Sequence, residues 1–170
     1  KNDDLSLLFI GLSIFMWTAI IFYTYKTNSK YHKYLFFLMF LEGVFLAFLQ
    51  TNDLFNLFVF LELITVLITI LIAFKKNGPS LKAAIYYLLL NTLGAMFFLI
   101  GIILLYYTYG SINITYLSTH ISDHSSEAIV KFAYIMMIAG ISVKSALFPL
   151  YTWLPRAHGV AYASLSALLS

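Results

Sequence analysis

Cysteine is absent from the 170 residues, which excludes disulfides, thiolate metal sites, iron–sulfur ligation and cysteine nucleophiles together. Charge is scarce: ten Lys/Arg and seven Asp/Glu make up 10 % of the chain, where an ordinary soluble domain carries about 25 %. So little charge beside 62 % hydrophobic residues excludes a disordered chain. The net charge of +3 comes from scattered lysines and forms no basic stripe, so no nucleic-acid partner is expected. There is no Gly-rich phosphate loop, nucleophile elbow or His-Glu-x-x-His, so no cofactor and no catalytic chemistry of its own is expected of this chain. The first apolar segment lacks the small-residue cleavage site of a signal peptide.

What is present is apolar bulk. Aromatics reach 18 % and mean hydropathy is +0.90, more than a domain of this size can hide from water. The composition points to an all-α, polytopic transmembrane bundle in a lipid bilayer. Five apolar segments have spanning length, at about 5–25, 34–50, 53–74, 82–108 and 128–150, and a sixth begins near Val160. The chain has no initiator Met and stops inside that sixth segment, so it reads as about five and a half helices of a longer protein, forming one membrane domain over 1–170. The connection 109–127 is polar and reads as a loop. Within the fourth segment Ala84, Asn91, Gly94, Ala95 and Gly101 fall at helical spacing, a face on which another helix can approach closely.

Lysine placement suggests an orientation. Lys26, Lys30, Lys33, Lys75, Lys76, Lys82 and Arg156 fall on one side, and Lys1 and Lys131 on the other, with Asp53, Asp123 and Glu127. The positive-inside rule puts the first side in the cytoplasm.

Three ionisable residues lie deep in apolar segments: Glu42, Glu62 and Lys144. A charge at mid-bilayer costs about 2.5–3.5 kcal/mol on insertion scales and marks an ion pathway by default. At 1.5 Å per residue, Glu62 stands about 14 Å past Asp53, Glu42 about 12 Å past Tyr34 and Lys144 about 14 Å before Trp153, all near the midplane. Glu62 and Lys144 at one depth can compensate each other. Glu42 has no polar companion nearby in its own segment. Beyond Lys144, Pro149 has no N–H to give the carbonyl of Ser145, so the helix is expected to break or kink there, one residue after the lysine. Irregular backbone at membrane depth is tolerated only where protein buries it or a watery cavity meets it, so lysine and break together point to an ion or proton path. His158 lies just past Trp153 and Arg156, and histidine is a residue type that can relay protons. His120 and His124 are spaced i, i+4 in a Ser-rich stretch without a third ligand, and no metal is expected.

Two stretches carry a family resemblance. Residues 52–63, Asn-Asp-Leu-Phe-Asn-Leu-Phe-Val-Phe-Leu-Glu-Leu, resemble the fifth-helix motif of proton-conducting membrane subunits: the D-type subunit of Mrp sodium/proton antiporters, and the antiporter-like subunits of respiratory complex I and energy-converting hydrogenases. Residues 140–158, with Lys144, Phe148-Pro149 and Trp153-Leu154-Pro155-Arg156-Ala157-His158, resemble that family's broken seventh helix. The resemblance implies an antiporter-like fold of which this chain is most of the first helical repeat plus a flanking N-terminal helix, the second repeat lying outside it. It implies that Glu62 and Lys144 form a buried proton-translocating pair, with Asp53, Glu42 and His158 as secondary candidates and Pro149 at the break. It also implies other membrane subunits as partners, protons or sodium as cargo, and a prokaryotic plasma membrane as location. Two further readings stay open: a scaffold subunit with a static Glu–Lys pair, and a part of a quinone-reducing NADH dehydrogenase or hydrogenase complex.

Overall fold

The computed structural model describes residues 4–27, 32–121 and 127–169. Lys1, Lys30, Asp123 and His124 lie outside the described residues. Within them the chain forms α1 (Asp4–Thr27), α2 (His32–Gln50), α3 (Leu54–Ala73), α4 (Gly78–Tyr109), α5 (Ile114–His120), α6 (Ala128–Lys144), α7 (Trp153–Val160) and α8 (Ala163–Leu169). The first four are long and apolar enough to cross a membrane. The expected fifth span is divided: α6 has 17 residues, about 25 Å of helix, and ends at Lys144 instead of running to 150.

Helix starts follow their caps. Asp53, expected as the first helical residue of the third segment, is instead the N-cap of α3, its carboxylate accepting from the Asn56 N–H at 2.9 Å. The fourth segment begins four residues before its expected start at 82. Asn77 caps it by accepting from the Ser80 N–H, and Pro79 sits in the first turn, where its missing N–H is no loss. Gly110, at φ 68°, closes α4 in the left-handed conformation, which glycine adopts without a Cβ clash. The stretch 109–127 is not all loop. Asn113 accepts from the Tyr116 N–H at 3.1 Å and starts α5.

Helix α3 packs between α2 and α4; α6 and α7 lie on α4, and α8 returns to α1 and α3. At one end a single antiparallel bridge pairs Asp53 with Asn113, and the Asn52 side-chain amide donates to Thr115 at 2.9 Å. At the other, the Tyr34 and Ser164 hydroxyls meet at 3.0 Å, and the Lys75 ammonium donates to the Ala161 carbonyl at 3.1 Å while lying over the Tyr162 ring. These tethers place Lys26, Lys33, Lys75, Lys76, Lys82 and Arg156 at one end of the bundle. Lys131 lies at the opposite end.

The seam between α4 and α6 depends on glycines. A Cβ on Gly140 would lie 2.5 Å from the Gly94 carbonyl oxygen and 2.9 Å from Phe98 Cβ. One on Gly101 would run into Met137 and stand 2.8 Å from the Ala133 carbonyl. The small-residue face of the fourth segment is therefore the packing face, and it fixes α6 one turn before Lys144. Gly140→Ala is expected to destabilise the full-length protein by about 1–3 kcal/mol through overpacking against backbone. Gly43→Ala, where nothing lies within 4 Å, should be neutral or slightly stabilising. Thermal unfolding of the two variants checks this, and equal midpoints would show that the seam does not need its glycines.

Candidate functional site: an ion pair at a broken helix

Lys144 is the last residue of α6, where the helix's exposed carbonyls favour a cation. Its ammonium donates to three oxygens on α3: the Thr65 hydroxyl at 2.8 Å, Glu62 Oε1 at 3.3 Å and the Leu61 carbonyl at 3.4 Å. The Thr65 hydroxyl itself donates to the Leu61 carbonyl at 2.8 Å. Side-chain exposure is 13 % for Lys144 and 24 % for Glu62. A tight charged N–H···O contact measures about 2.7–2.9 Å. The closest grip on the ammonium therefore comes from Thr65, and the Glu62 contact is loose. Thr65 stands three residues after Glu62, on the same helix face.

The backbone beyond Lys144 leaves the helix through a C-terminal cap. The Ala146 N–H donates to the Val143 carbonyl at 3.2 Å and the Leu147 N–H to the Ser142 carbonyl at 3.0 Å, the paired bonds of a Schellman motif. Its left-handed position, usually glycine, is held by Ala146 at φ 52°. Pro149 sits in the exposed turn beyond. The helix ends at Lys144 with Ser145 as its C-cap, the residue whose carbonyl the missing Pro149 N–H could not have bonded, and helix does not resume until Trp153. The Trp153 indole N–H then donates to the Val143 carbonyl at 2.9 Å, so α7 satisfies part of the opened end of α6.

Beside the ammonium lies a cavity of about 190 Å³, lined by Thr65, Tyr87, Asn91, Lys144 and Trp153 among apolar residues of α3 and α8. A water occupies about 30 Å³ of liquid, so there is room for several, with polar partners to hold them. The Asn91 amide donates to the Tyr87 carbonyl at 3.0 Å, and the Tyr87 ring stands edge-on to Trp153 with centroids 5.0 Å apart. Thr65 and Tyr87 escape a search for charges; their only signal is helical spacing, from Glu62 and from Asn91 respectively.

The other candidates lie elsewhere. Asp53 is committed to capping α3. Glu42, half-buried in α2, makes no hydrogen bond or ion pair with any described residue. His158 Nδ1 meets the Ser166 hydroxyl at 2.7 Å, joining α7 to α8 outside the cavity lining.

The described residues thus form a polytopic helical bundle whose interrupted helix ends in a lysine paired with a glutamate on a neighbouring helix. The chain belongs to the NADH:quinone oxidoreductase/Mrp antiporter transmembrane family, whose model matches residues 51–170. It is 35 % identical over 173 residues to a Staphylococcus aureus (strain JH9) protein named antiporter subunit mnhD2, covering 99 % of this chain and 34 % of that one. The chain thus spans about a third of the length of the curated relatives it matches. Among solved structures, it resembles a chain of the membrane-bound sulfane sulfur reductase, an archaeal respiratory membrane complex (TM-score 0.83, 29 % identity, 93 % of this chain and 34 % of that one). The fold also matches chains of respiratory complex I from Thermus thermophilus (TM-score 0.82, 21 % identity, 99 % of this chain and 38 % of that one) and of the Mrp complex from Dietzia sp. DQ12-45-1b (TM-score 0.65, 24 % identity, 76 % of this chain and 24 % of that one).

The cap yields a stability test. A non-glycine residue in the left-handed region costs about 1 kcal/mol. Ala146→Gly should therefore raise the thermal midpoint of the full-length protein by an amount matching about 0.5–1 kcal/mol, and Ala146→Val should lower it. A glycine variant less stable than the parent would contradict the cap assignment.

Proposed function

We propose that the chain moves protons across a prokaryotic plasma membrane as part of an antiporter subunit, working with other membrane subunits of a larger complex. The observation that carries this reading is the ammonium of Lys144, held within the bundle at the end of an interrupted helix, 3.3 Å from Glu62 and beside a cavity that can take water.

The mechanism follows from opposing demands on one amine. Burial favours its neutral form, and a nearby carboxylate favours its charged form. With Glu62 close, the proton stays on Lys144. When Glu62 turns away or is itself protonated, the ammonium loses its counter-charge and releases the proton to cavity water. Thr65 gives the amine a fixed partner through both states, because a hydroxyl can accept from an ammonium and donate to an amine. The loose Glu62 contact suits a partner that must leave. Asp53 is occupied as a helix cap, so no proton is assigned to it. Exchange for sodium extends the same reading, by analogy with the relatives' antiporter name, and residues 1–170 would then form most of the first helical repeat with its flanking helix.

Glu62→Gln keeps the shape and removes the charge. Proton flux through the full-length complex in vesicles should fall at least about tenfold, corresponding to about 1.4 kcal/mol or more, while Glu62→Asp keeps part of the flux. A glutamine variant that transports as well as the parent at equal expression would defeat the proposal.

A further inference from the structure

We propose that the groove between the first turns of α4 and the end of α7 is a headgroup site for an anionic phospholipid. The groove holds about 350 Å³ and is lined by Pro79, Lys82, Pro155, Arg156 and Val160. Its two cations have no anionic partner: neither Lys82 nor Arg156 makes a hydrogen bond or ion pair with any described residue. The Arg156 guanidinium lies 4.1 Å over the Tyr86 ring, and the Tyr86 hydroxyl is held by Thr152 at 2.8 Å. The ring contact leaves the guanidinium N–H groups without an acceptor among the described residues, and such a fork of donors can grip two phosphate oxygens at once.

The missing counter-charge is absent from this whole end of the chain. The connections 26–33, 75–82 and 151–162 contain no Asp or Glu at all. Lys75 is held by a carbonyl and an aromatic ring, and Lys82 and Arg156 are the uncompensated cations that line the groove. The adjacent N-terminal end of α4 adds its own positive potential.

A hydrocarbon track selects a lipid over a free anion. On the same helix, from the turn that carries Lys82 onward, Leu81, Ile85, Leu89 and Leu93 are 46 %, 58 %, 59 % and 57 % exposed. At four-residue spacing they form one stripe down α4, on which an acyl chain can lie while its phosphate sits between the two cations. Basic pockets between membrane helices hold anionic headgroups by this combination of charge and apolar wall. The site is independent of the proton reading and is tested without transport.

The full-length complex is extracted in detergent and incubated with photoactivatable phosphatidylglycerol or phosphatidylcholine below saturation, and adducts are mapped by peptide mass spectrometry. Phosphatidylglycerol should label the 79–93 stretch and phosphatidylcholine should not. Lys82→Gln with Arg156→Gln, both exposed positions, should cut that labelling about thirtyfold, equivalent to about 2 kcal/mol for two interfacial cations. Lys26→Gln with Lys33→Gln, at the same end, should change it less than about twofold. Equal labelling by both lipids, labelling unchanged by the Lys82/Arg156 pair, or displacement of the lipid by inorganic phosphate alone would each overturn the proposal.

Discussion

An ammonium inside an apolar bundle must be compensated wherever it sits, and the geometry around Lys144 is organised to do this. The helix ends at the lysine, so the carbonyl end of α6 faces its charge. Glu62 supplies the opposite charge, and Thr65 and the Leu61 carbonyl supply hydrogen bonds. Removing any one of these leaves the others to carry a charge that costs several kcal/mol to desolvate. A charge so placed, with a loose partner and space for water, is not needed to hold the bundle together, because a well-packed apolar replacement would do so at least as well.

Backbone features bring that lysine to its place. Close packing of Gly94 against Gly140 locks α6 to α4, and the cap at Ala146 turns the chain out of the helix two residues past Lys144. The Trp153 indole closes over the opened end by bonding the Val143 carbonyl. An interruption of this kind leaves orphan carbonyls that lipid cannot satisfy; here a tryptophan from the next helix and the cap's own N–H groups take part of that role. The division of the fifth segment is thus a built feature, and the family match over residues 51–170 includes both the glutamate helix and the break.

Much of this was legible in the amino-acid sequence, for uneven reasons. Long apolar runs mark membrane helices plainly, since nothing else needs so much hydrocarbon, and Glu62 and Lys144 stand out because charge is so rare there. The start of α4 carried a readable signal, Asn77 followed by Pro79, that hydropathy alone passes over as polar loop. Helix α5 is seven residues long and too short to show a period. Thr65 is hidden because threonines in membrane helices commonly bond back to their own helix, as this one does to Leu61, and its second role appears only when α6 is in place. The left-handed Ala146 was unreadable, as the position usually announces itself with glycine. Asp53 and His158 drew attention as titratable groups, yet the structure engages them in a cap and an interhelical hydrogen bond. Their residue types alone could not reveal that.

In the proposed mechanism Lys144 gives up its proton. Arginine offers the direct test, since it keeps a positive charge opposite Glu62 but in practice never deprotonates in a protein. Proton flux through the full-length complex carrying Lys144→Arg should be measured in sealed vesicles at matched assembled protein. That complex should assemble and transport at least about tenfold more slowly than the parent. Full flux through the arginine variant would mean that the charge is static and that Lys144 carries no proton.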